Sequence, residues 1–147
     1  MFDKFKPFIG TEDAPNLFLP VSIDEIESAE RRLGYEFPSE LRAFYCEVGY
    51  GFWSQGVQDA EADRYVINRV IPPYEVAELV CNQENELRPH GGLAEGELPF
   101  FDLGERDYFV IKSHSDNPNR VWFYDTVLTE SVVEFFDRLY ERARFYP

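Results

Sequence analysis

The fold is decided by residues 22–49, whose sequence is SIDEIESAERRLGYEFPSELRAFYCEVG. Ser22 and Glu25 have the spacing of a capping box, in which each side chain accepts a hydrogen bond from a free backbone N–H at the start of a helix. Apolar side chains recur at helical spacing as far as Leu33, and Gly34 suits the left-handed conformation that ends many helices. This pattern predicts one helix between Ser22 and Gly34.

The second half of the stretch predicts another helix. Pro38 and Ser39 suit a first helical turn, and Gly49 is placed to end the helix. The apolar positions of this helix are Leu41, Phe44, Tyr45 and Val48. Its polar positions are Glu40, Arg42 and Glu47. A helix that recognises DNA is basic, so this neutral-to-acidic face argues against a DNA-binding helix pair.

Outward from the helix pair, the chain predicts an α+β fold. Residues 1–20 are expected to be irregular. The predicted elements that follow are a strand at Tyr65–Ile71, a short helix at Tyr74–Cys81, a loop at Asn82–Glu97, strands at Leu98–Asp102, Tyr108–Ile111 and Val121–Asp125, and a helix at Glu130–Arg144. Short turns between the last three strands favour antiparallel pairing. We therefore expect residues 1–147 to form a single domain, an antiparallel, meander-like sheet with helices packed on one face.

Composition and charge exclude several classes of protein. The 147 residues include 28 acidic and 14 basic side chains, a formal net charge of −14, and 17% of them are aromatic. Disordered chains are poor in aromatic residues, and no run of about 18 apolar residues is present to span a membrane. Nucleic acid and anionic lipid repel so acidic a protein. We expect a basic protein partner, no nucleic-acid or membrane binding and, because no signal peptide is recognisable, a cytoplasmic location.

Residues of catalytic type form no recognisable motif. His90 and His114 stand in polar stretches outside any nucleophile or metal-binding pattern, so we expect neither an enzyme nor a cofactor. Cys46 and Cys81 each follow apolar residues, and we expect both to be buried thiols in a reducing compartment.

Three carboxylates, Asp102, Glu105 and Asp107, surround the predicted turn between two strands. Oxygen ligands at this density are able to hold a hard cation. Arg106 in the same turn argues against a cation, so a structural turn is the preferred interpretation and no metal is expected. In a strongly acidic protein these side chains are also candidate charged contacts for a basic partner.

Tyr50, Phe52 and Trp53 lie beside Gly49 and Gly51. Aromatic side chains in desolvated positions form the hot spots of protein–protein interfaces, so these three are candidate apolar contacts for a partner. A thick aromatic core would use the same residues equally well, and the sequence leaves both alternatives open.

Residues 23–45 resemble the opening signature of the SUKH (Smi/Knr-like) superfamily. The likeness consists of a helix with a glutamate and Leu33-Gly34, an apolar-proline step at Phe37-Pro38, and a second helix with aromatic anchors. Gly49-Tyr50-Gly51 stands where that family has a glycine-containing turn. Further similar segments are residues 68–72, 98–100, 102–111, 121–125 and 131–136, so the resemblance covers about residues 22–140.

The resemblance implies an α+β fold and, most often, an immunity protein that binds and silences a bacterial toxin. Because many such toxins are nucleases, which are basic where they hold phosphate, the leading hypothesis is non-covalent occlusion of a basic cognate toxin. One alternative is a regulatory protein-interaction module with a non-toxin partner, since fold alone does not determine function. Another is a small-molecule-binding domain or an enzyme, which would need a deep apolar cleft with converging polar groups.

Overall fold

A computed structural model describes residues 1–11, 16–54, 57–59, 64–82 and 92–146, with residues 57–59 and 64–66 described as backbone only. Most of the predicted loop, residues 83–91, lies outside these ranges, and so does His90. In the described part of the chain, no helix is long and apolar enough to span a membrane.

The described elements are five helices and nine strands. The helices are a 3₁₀-helix at Asp3–Phe8, α1 (Ile23–Leu33), α2 (Ser39–Glu47), α3 (Pro73–Cys81) and α4 (Val132–Glu141). The strands are β1 (Leu17–Leu19), β2 (Tyr50–Phe52), β3 (Val57–Asp59), β4 (Arg64–Val66), β5 (Arg69–Val70), β6 (Glu97–Gly104), β7 (Asp107–Lys112), β8 (Val121–Phe123) and β9 (Thr126–Thr129). The predicted strand at Tyr65–Ile71 is split into β4 and β5, because Asn68 has a left-handed backbone with φ of 48°.

One antiparallel sheet has the strand order β1-β2-β5-β6-β7-β8-β9, and β3 pairs with β4 as a separate hairpin. Apart from that hairpin, strands that are neighbours in the sheet follow each other along the chain. The predicted α+β fold with an antiparallel, meander-like sheet is therefore confirmed.

The helices and one face of the sheet share a single hydrophobic core. Phe44 of α2 stacks on Phe136 of α4 with their ring centroids 3.9 Å apart. Phe135 of α4 packs against Phe101 and Phe109 of the sheet, with centroid separations of 5.0 and 5.6 Å. Buried residues of α1 and α3 belong to the same cluster. This sheet face is called the inner face below, and the opposite one the outer face.

A β-bulge explains how two consecutive phenylalanines both reach the core. The register between β6 and β7 shifts between Pro99 and Phe101, so Phe100 and Phe101 are both fully buried. Regular alternation would have turned one of them to the outer face. The carbonyl of Phe100 accepts a hydrogen bond from the backbone N–H of Ile71 at 2.9 Å, which keeps the bulged strand attached to its neighbour.

Glu30 connects the two helices of the opening stretch. The capping box at Ser22 and the left-handed Gly34 form as predicted. The Glu30 carboxylate is 7% exposed; it accepts a hydrogen bond from the backbone N–H of Phe37 at 2.8 Å and pairs with Arg42 of α2 at 3.1 Å. This one side chain therefore ties the last turn of α1 to the connector and to α2.

The expectation that residues 1–20 are irregular is wrong for Asp3–Phe8 and Leu17–Leu19, which form a 3₁₀-helix and a strand. Phe2, Phe5 and Phe18 are buried in the core. A 3₁₀-helix brings side chains three residues apart onto one side, which suits the spacing of Phe2, Phe5 and Phe8. Leu17–Leu19 becomes the edge strand β1 by pairing with β2.

The expected burial of the two cysteines is also wrong, since Cys46 and Cys81 are exposed free thiols. Cys46 lies about 200° around the helix from Phe44, at 100° per residue, whereas Val48 returns to within about 40° of Phe44. Phe44 and Val48 therefore lie on the core side of α2, whereas Cys46 lies on its solvent side.

Candidate functional site

The outer face of the sheet carries a row of aromatic, apolar and charged side chains. Antiparallel pairing aligns the following residues across β1, β2, β5, β6 and β7: Leu17, Phe52, Arg69, Asp102 and Tyr108. Directly opposed residues in such a sheet point to the same side. Their chain neighbours Phe18, Val70 and Phe109 belong to the core, so the row itself lies on the outer face.

Leu17, Leu19, Tyr50 and Phe52 form an apolar group at the edge of the outer face, called the outer patch below. Leu17 is opposite Phe52, and Leu19 is opposite Tyr50. Leu19 is exposed and the other three side chains are half-buried. Gly51 makes this close pairing possible, because a Cβ at its position would lie 2.1 Å from the carbonyl oxygen of Leu17. Tyr50 and Phe52, two of the predicted contacts, therefore lie together at the surface.

Arg69 is held between two carboxylates beside the outer patch. Its guanidinium donates hydrogen bonds to Asp102 at 3.1 Å and to Glu75 of α3. Burial lowers the pKa of Arg69, but the hydrogen bonds and charges of Glu75 and Asp102 outweigh burial, so that the pKa is raised. Two carboxylates facing one guanidinium leave this cluster with a surplus of one negative charge. Asp102 lies two strands from Phe52, about 10 Å at the usual strand spacing.

Trp53 belongs to the core, so the expectation that it lies at the surface with Tyr50 and Phe52 is wrong. The side chain is 6% exposed, and its indole N–H donates a hydrogen bond to the carbonyl of Leu139 at 3.0 Å. The ring packs against Phe5 and Phe8, with centroid distances of 5.1 and 5.0 Å. The sequence left core and surface positions open for these aromatic residues. Trp53 is in the core, whereas Tyr50 and Phe52 are on the outer face.

Glu105 and Asp107 lie away from Asp102, beside a cleft of about 410 Å³ at one end of the sheet. The apolar lining of the cleft consists of Ile67, Leu103, Phe109, Phe123, Leu128 and Tyr146, together with Val127. Phe109 and Tyr146 are almost fully buried, whereas Glu105 and Thr126 are exposed. The aromatic side chains therefore form the floor of the cleft, and the polar side chains form its rim.

The turn that carries Glu105 has backbone angles that are unfavourable for glutamate and arginine. Gly104 pairs with Asp107, so Glu105 and Arg106 are the two central residues of a hairpin turn. Their φ values are 54° and 64°. Positive φ at both positions is typical of a type I′ turn, which favours Asn and Gly because larger residues are strained there. The rim carboxylate of Asp107 on the next strand accepts a hydrogen bond from the hydroxyl of Tyr124 at 2.5 Å.

Sequence reasoning missed Leu17, Leu19, Arg69 and Glu75 as members of the site. The two leucines escape a sequence-based prediction because their position beside Tyr50 and Phe52 depends on strands β1 and β2, which the sequence pattern does not predict. Arg69 and Glu75 are six residues apart on a strand and a helix, and their ion pair depends on how α3 folds back beside β5. A pattern of one strand or one helix does not contain that information.

Side chains that commonly bind metals do not cluster in the described part of the chain. Within the described ranges, no group of three or more His, Cys, Asp or Glu side chains is placed to hold a metal ion. Asp102, once a candidate cation ligand, is paired with Arg69. His114 packs edge-on against Tyr35 at 4.8 Å. Burial raises the pKa of the Tyr35 hydroxyl, a hydrogen bond with Ser113 opposes this, and the phenol stays neutral at physiological pH.

The antiparallel sheet and the helices packed on its inner face make this an α+β protein. The chain belongs to the SMI1/KNR4 family (SUKH-1), whose sequence pattern matches residues 20–143. It is similar to Immunity protein YxxD of Bacillus subtilis (strain 168), with 29% identity over 136 residues that cover 89% of this chain and 88% of that protein. No solved structure matches the chain significantly.

Proposed function

We propose that this protein is an immunity protein that binds a cognate bacterial toxin, a basic nuclease-type domain, and neutralises it by non-covalent occlusion. The observation that carries the proposal is the similarity, over most of the chain, to a protein named as an immunity protein. Membership of the SMI1/KNR4 family (SUKH-1) is consistent with it.

The outer patch is the proposed apolar part of the interface. Tyr50 and Phe52 are half-buried aromatic side chains on a rigid, hydrogen-bonded strand, with Leu17 and Leu19 beside them. A partner that covers them would remove apolar surface from water without having to reorganise the core, which is how aromatic hot spots contribute to binding.

The acidic residues are the proposed source of attraction for a basic toxin. The Arg69 cluster leaves one unbalanced carboxylate next to the outer patch, and the whole chain carries a net charge of −14. Long-range attraction of this kind raises association rates by roughly 10–10³ at low salt and weakens as salt rises. A nuclease whose active site is basic because it binds phosphate would be attracted to this surface.

The test begins with the neighbouring reading frame, which on this proposal encodes a protein with a toxin-like C-terminal domain. Co-expression of the chain should restore growth of cells that produce that toxin domain, and the two purified proteins should form a complex that weakens as salt rises. Replacing both Tyr50 and Phe52 with alanine should weaken the complex about 30-fold or more, the effect of a loss of about 2 kcal/mol at a hot spot.

Tyr74→Ala is the matched control, because Tyr74 is an exposed aromatic side chain on α3 outside the outer patch. The control variant should bind as the unaltered chain does. Absence of both growth rescue and complex formation would refute the immunity function, and capture of a regulatory protein in place of a toxin would favour the interaction-module alternative. Full affinity in the Tyr50/Phe52 variant would refute the outer patch as the interface and leave the immunity function standing.

A further inference from the structure

The cleft beside Glu105 has the size and shape of a ligand site. Its volume of about 410 Å³ lies within the roughly 300–1,000 Å³ that small-molecule pockets occupy. Four separate segments enclose it, namely the β4–β5 connection, the β6–β7 hairpin, the β8–β9 hairpin and the C-terminal segment. Phe109 and Tyr146 at its bottom are only 1% and 5% exposed, so the apolar surface open to a ligand belongs to the less buried lining residues Phe123, Val127 and Leu128.

The aromatic floor is rigidly held. Phe109 contacts the edges of Phe123 and Tyr146, with ring centroids 5.6 and 4.9 Å away. The hydroxyl of Tyr146 donates a hydrogen bond to the side chain of Asn68, whose amide donates in turn to the carbonyl of Ala143 at 2.7 Å. These contacts hold the C-terminal segment against the sheet and make the cleft a preformed feature of the fold.

The rim of the cleft determines the charge of the ligand. Glu105 and Asp107 place two carboxylates beside an otherwise apolar space, and among the described residues no lysine or arginine lines it. Arg106 in the same turn and Arg144, whose guanidinium lies 5.3 Å from the ring centroid of Tyr146, are both outside the lining. An apolar floor with an anionic rim complements a molecule that has an aromatic or aliphatic body and one cationic group.

We propose that this cleft binds a small organic cation, an ammonium or guanidinium group on an apolar body, with the cation at Glu105 and Asp107 and the body against Phe123, Val127 and Leu128. The site is separate from the outer patch, because Asp107 and Phe109 alternate with the outer-face residue Tyr108 along β7. The proposal therefore goes beyond toxin binding and does not depend on it.

The experiment titrates the full chain, labelled with ¹⁵N, with three probes of nearly equal shape and different charge. The probes are 2-phenylethylamine, the neutral 2-phenylethanol and the anionic 3-phenylpropionate. The amine should shift the amide resonances of Phe109 and Leu128 and bind at least about fivefold more tightly than the alcohol, as expected for a partly exposed ion pair. The anion should bind more weakly than the alcohol.

Variants test the location and the role of charge. Glu105→Gln and Asp107→Asn should each lower the affinity for the amine towards the affinity for the alcohol. As a control, Glu27→Gln removes one exposed charge from α1 and should leave both affinities unchanged. Thr126→Trp fills the mouth of the cleft from an exposed position and should abolish binding of all three probes. Val127→Lys, also at an exposed position, places a competing cation there and should selectively weaken binding of the amine.

Several results would overturn the proposal. One is equal affinity for amine and alcohol, and another is binding that survives in both Thr126→Trp and Val127→Lys. A third is the absence of binding by the amine to the unaltered chain. Because the titrations contain no toxin, their failure is distinguishable from failure of the proposed immunity function.

Discussion

Replacement of Glu30 by alanine should lower the free energy of unfolding of this protein substantially, although Glu30 is not part of the outer patch. The side chain makes two kinds of contact. Its hydrogen bond from the backbone N–H of Phe37 is buried and charge-assisted, which is worth about 1.5–3 kcal/mol. Its pairing with Arg42, which is 29% exposed, adds about 0.5–1 kcal/mol. The free energy of unfolding should therefore fall by roughly 2–4 kcal/mol.

The assay is urea unfolding followed by circular dichroism and tryptophan fluorescence. Glu30→Gln should lose only about 1 kcal/mol, because the amide oxygen still accepts the hydrogen bond from Phe37. Glu27→Ala changes an exposed position of the same helix and should stay within about 0.5 kcal/mol of the unaltered protein. In a double-mutant cycle, Glu30 and Arg42 should show a coupling energy of about 1 kcal/mol. Loss of less than 1 kcal/mol in Glu30→Ala, or equal losses in the alanine and glutamine variants, would refute this account.

Three further predictions concern backbone strain and pH. Gly49→Ala should destabilise by about 3 kcal/mol or more in urea unfolding, because its Cβ would lie 1.9 Å from the carbonyl oxygen of Leu19 and its φ is 116°. Gly10→Ala, with open space and a φ of 72° in the left-handed region, should lose only about 1 kcal/mol. Arg106→Gly should raise the free energy of unfolding by about 1 kcal/mol, since glycine relieves the left-handed strain, and no gain would contradict the turn assignment. The hydrogen bond from the backbone N–H of Phe2 lowers the pKa of Glu47, so this carboxylate stabilises the fold above its unfolded pKa and stops doing so as pH falls through its lowered folded pKa. The difference in melting temperature between the unaltered protein and Glu47→Gln should therefore shrink on acidification from pH 6 to pH 3, and a constant difference would contradict this.

Local sequence signals were sufficient for α1 and α2. These signals are the capping box at Ser22, the terminal Gly34 and the apolar repeat. Each involves residues within a few positions of one another, so each can be recognised in the sequence. The same holds for the existence of β6, β7 and β8, although β6 extends past the predicted Asp102 to Gly104.

The candidate site was less predictable, because it depends on pairings between distant segments. Tyr50 and Phe52 were identified as candidate contacts from composition alone, but Leu17 and Leu19 join them only through strand pairing across more than thirty residues. Trp53 adjoins Phe52 in sequence and faces the opposite side of the sheet, where it completes the aromatic core. Asp102, Glu105 and Asp107 are close in sequence but lie on two different surfaces. Asp102 is on the outer face, whereas the hairpin turn and the alternation of side chains along β7 place Glu105 and Asp107 beside the cleft.

The α+β class, the helix pair, the acidic character and the resemblance to the SUKH superfamily can all be recognised in the amino-acid order. These properties rest on periodicity, capping and composition, which act over a few residues or sum over the whole chain. The folded chain is needed to tell which aromatic residues are core and which are surface, and to find the Arg69 cluster and the cleft beside Glu105. Burial and ion pairing depend on which strands become neighbours, and no local pattern encodes that choice.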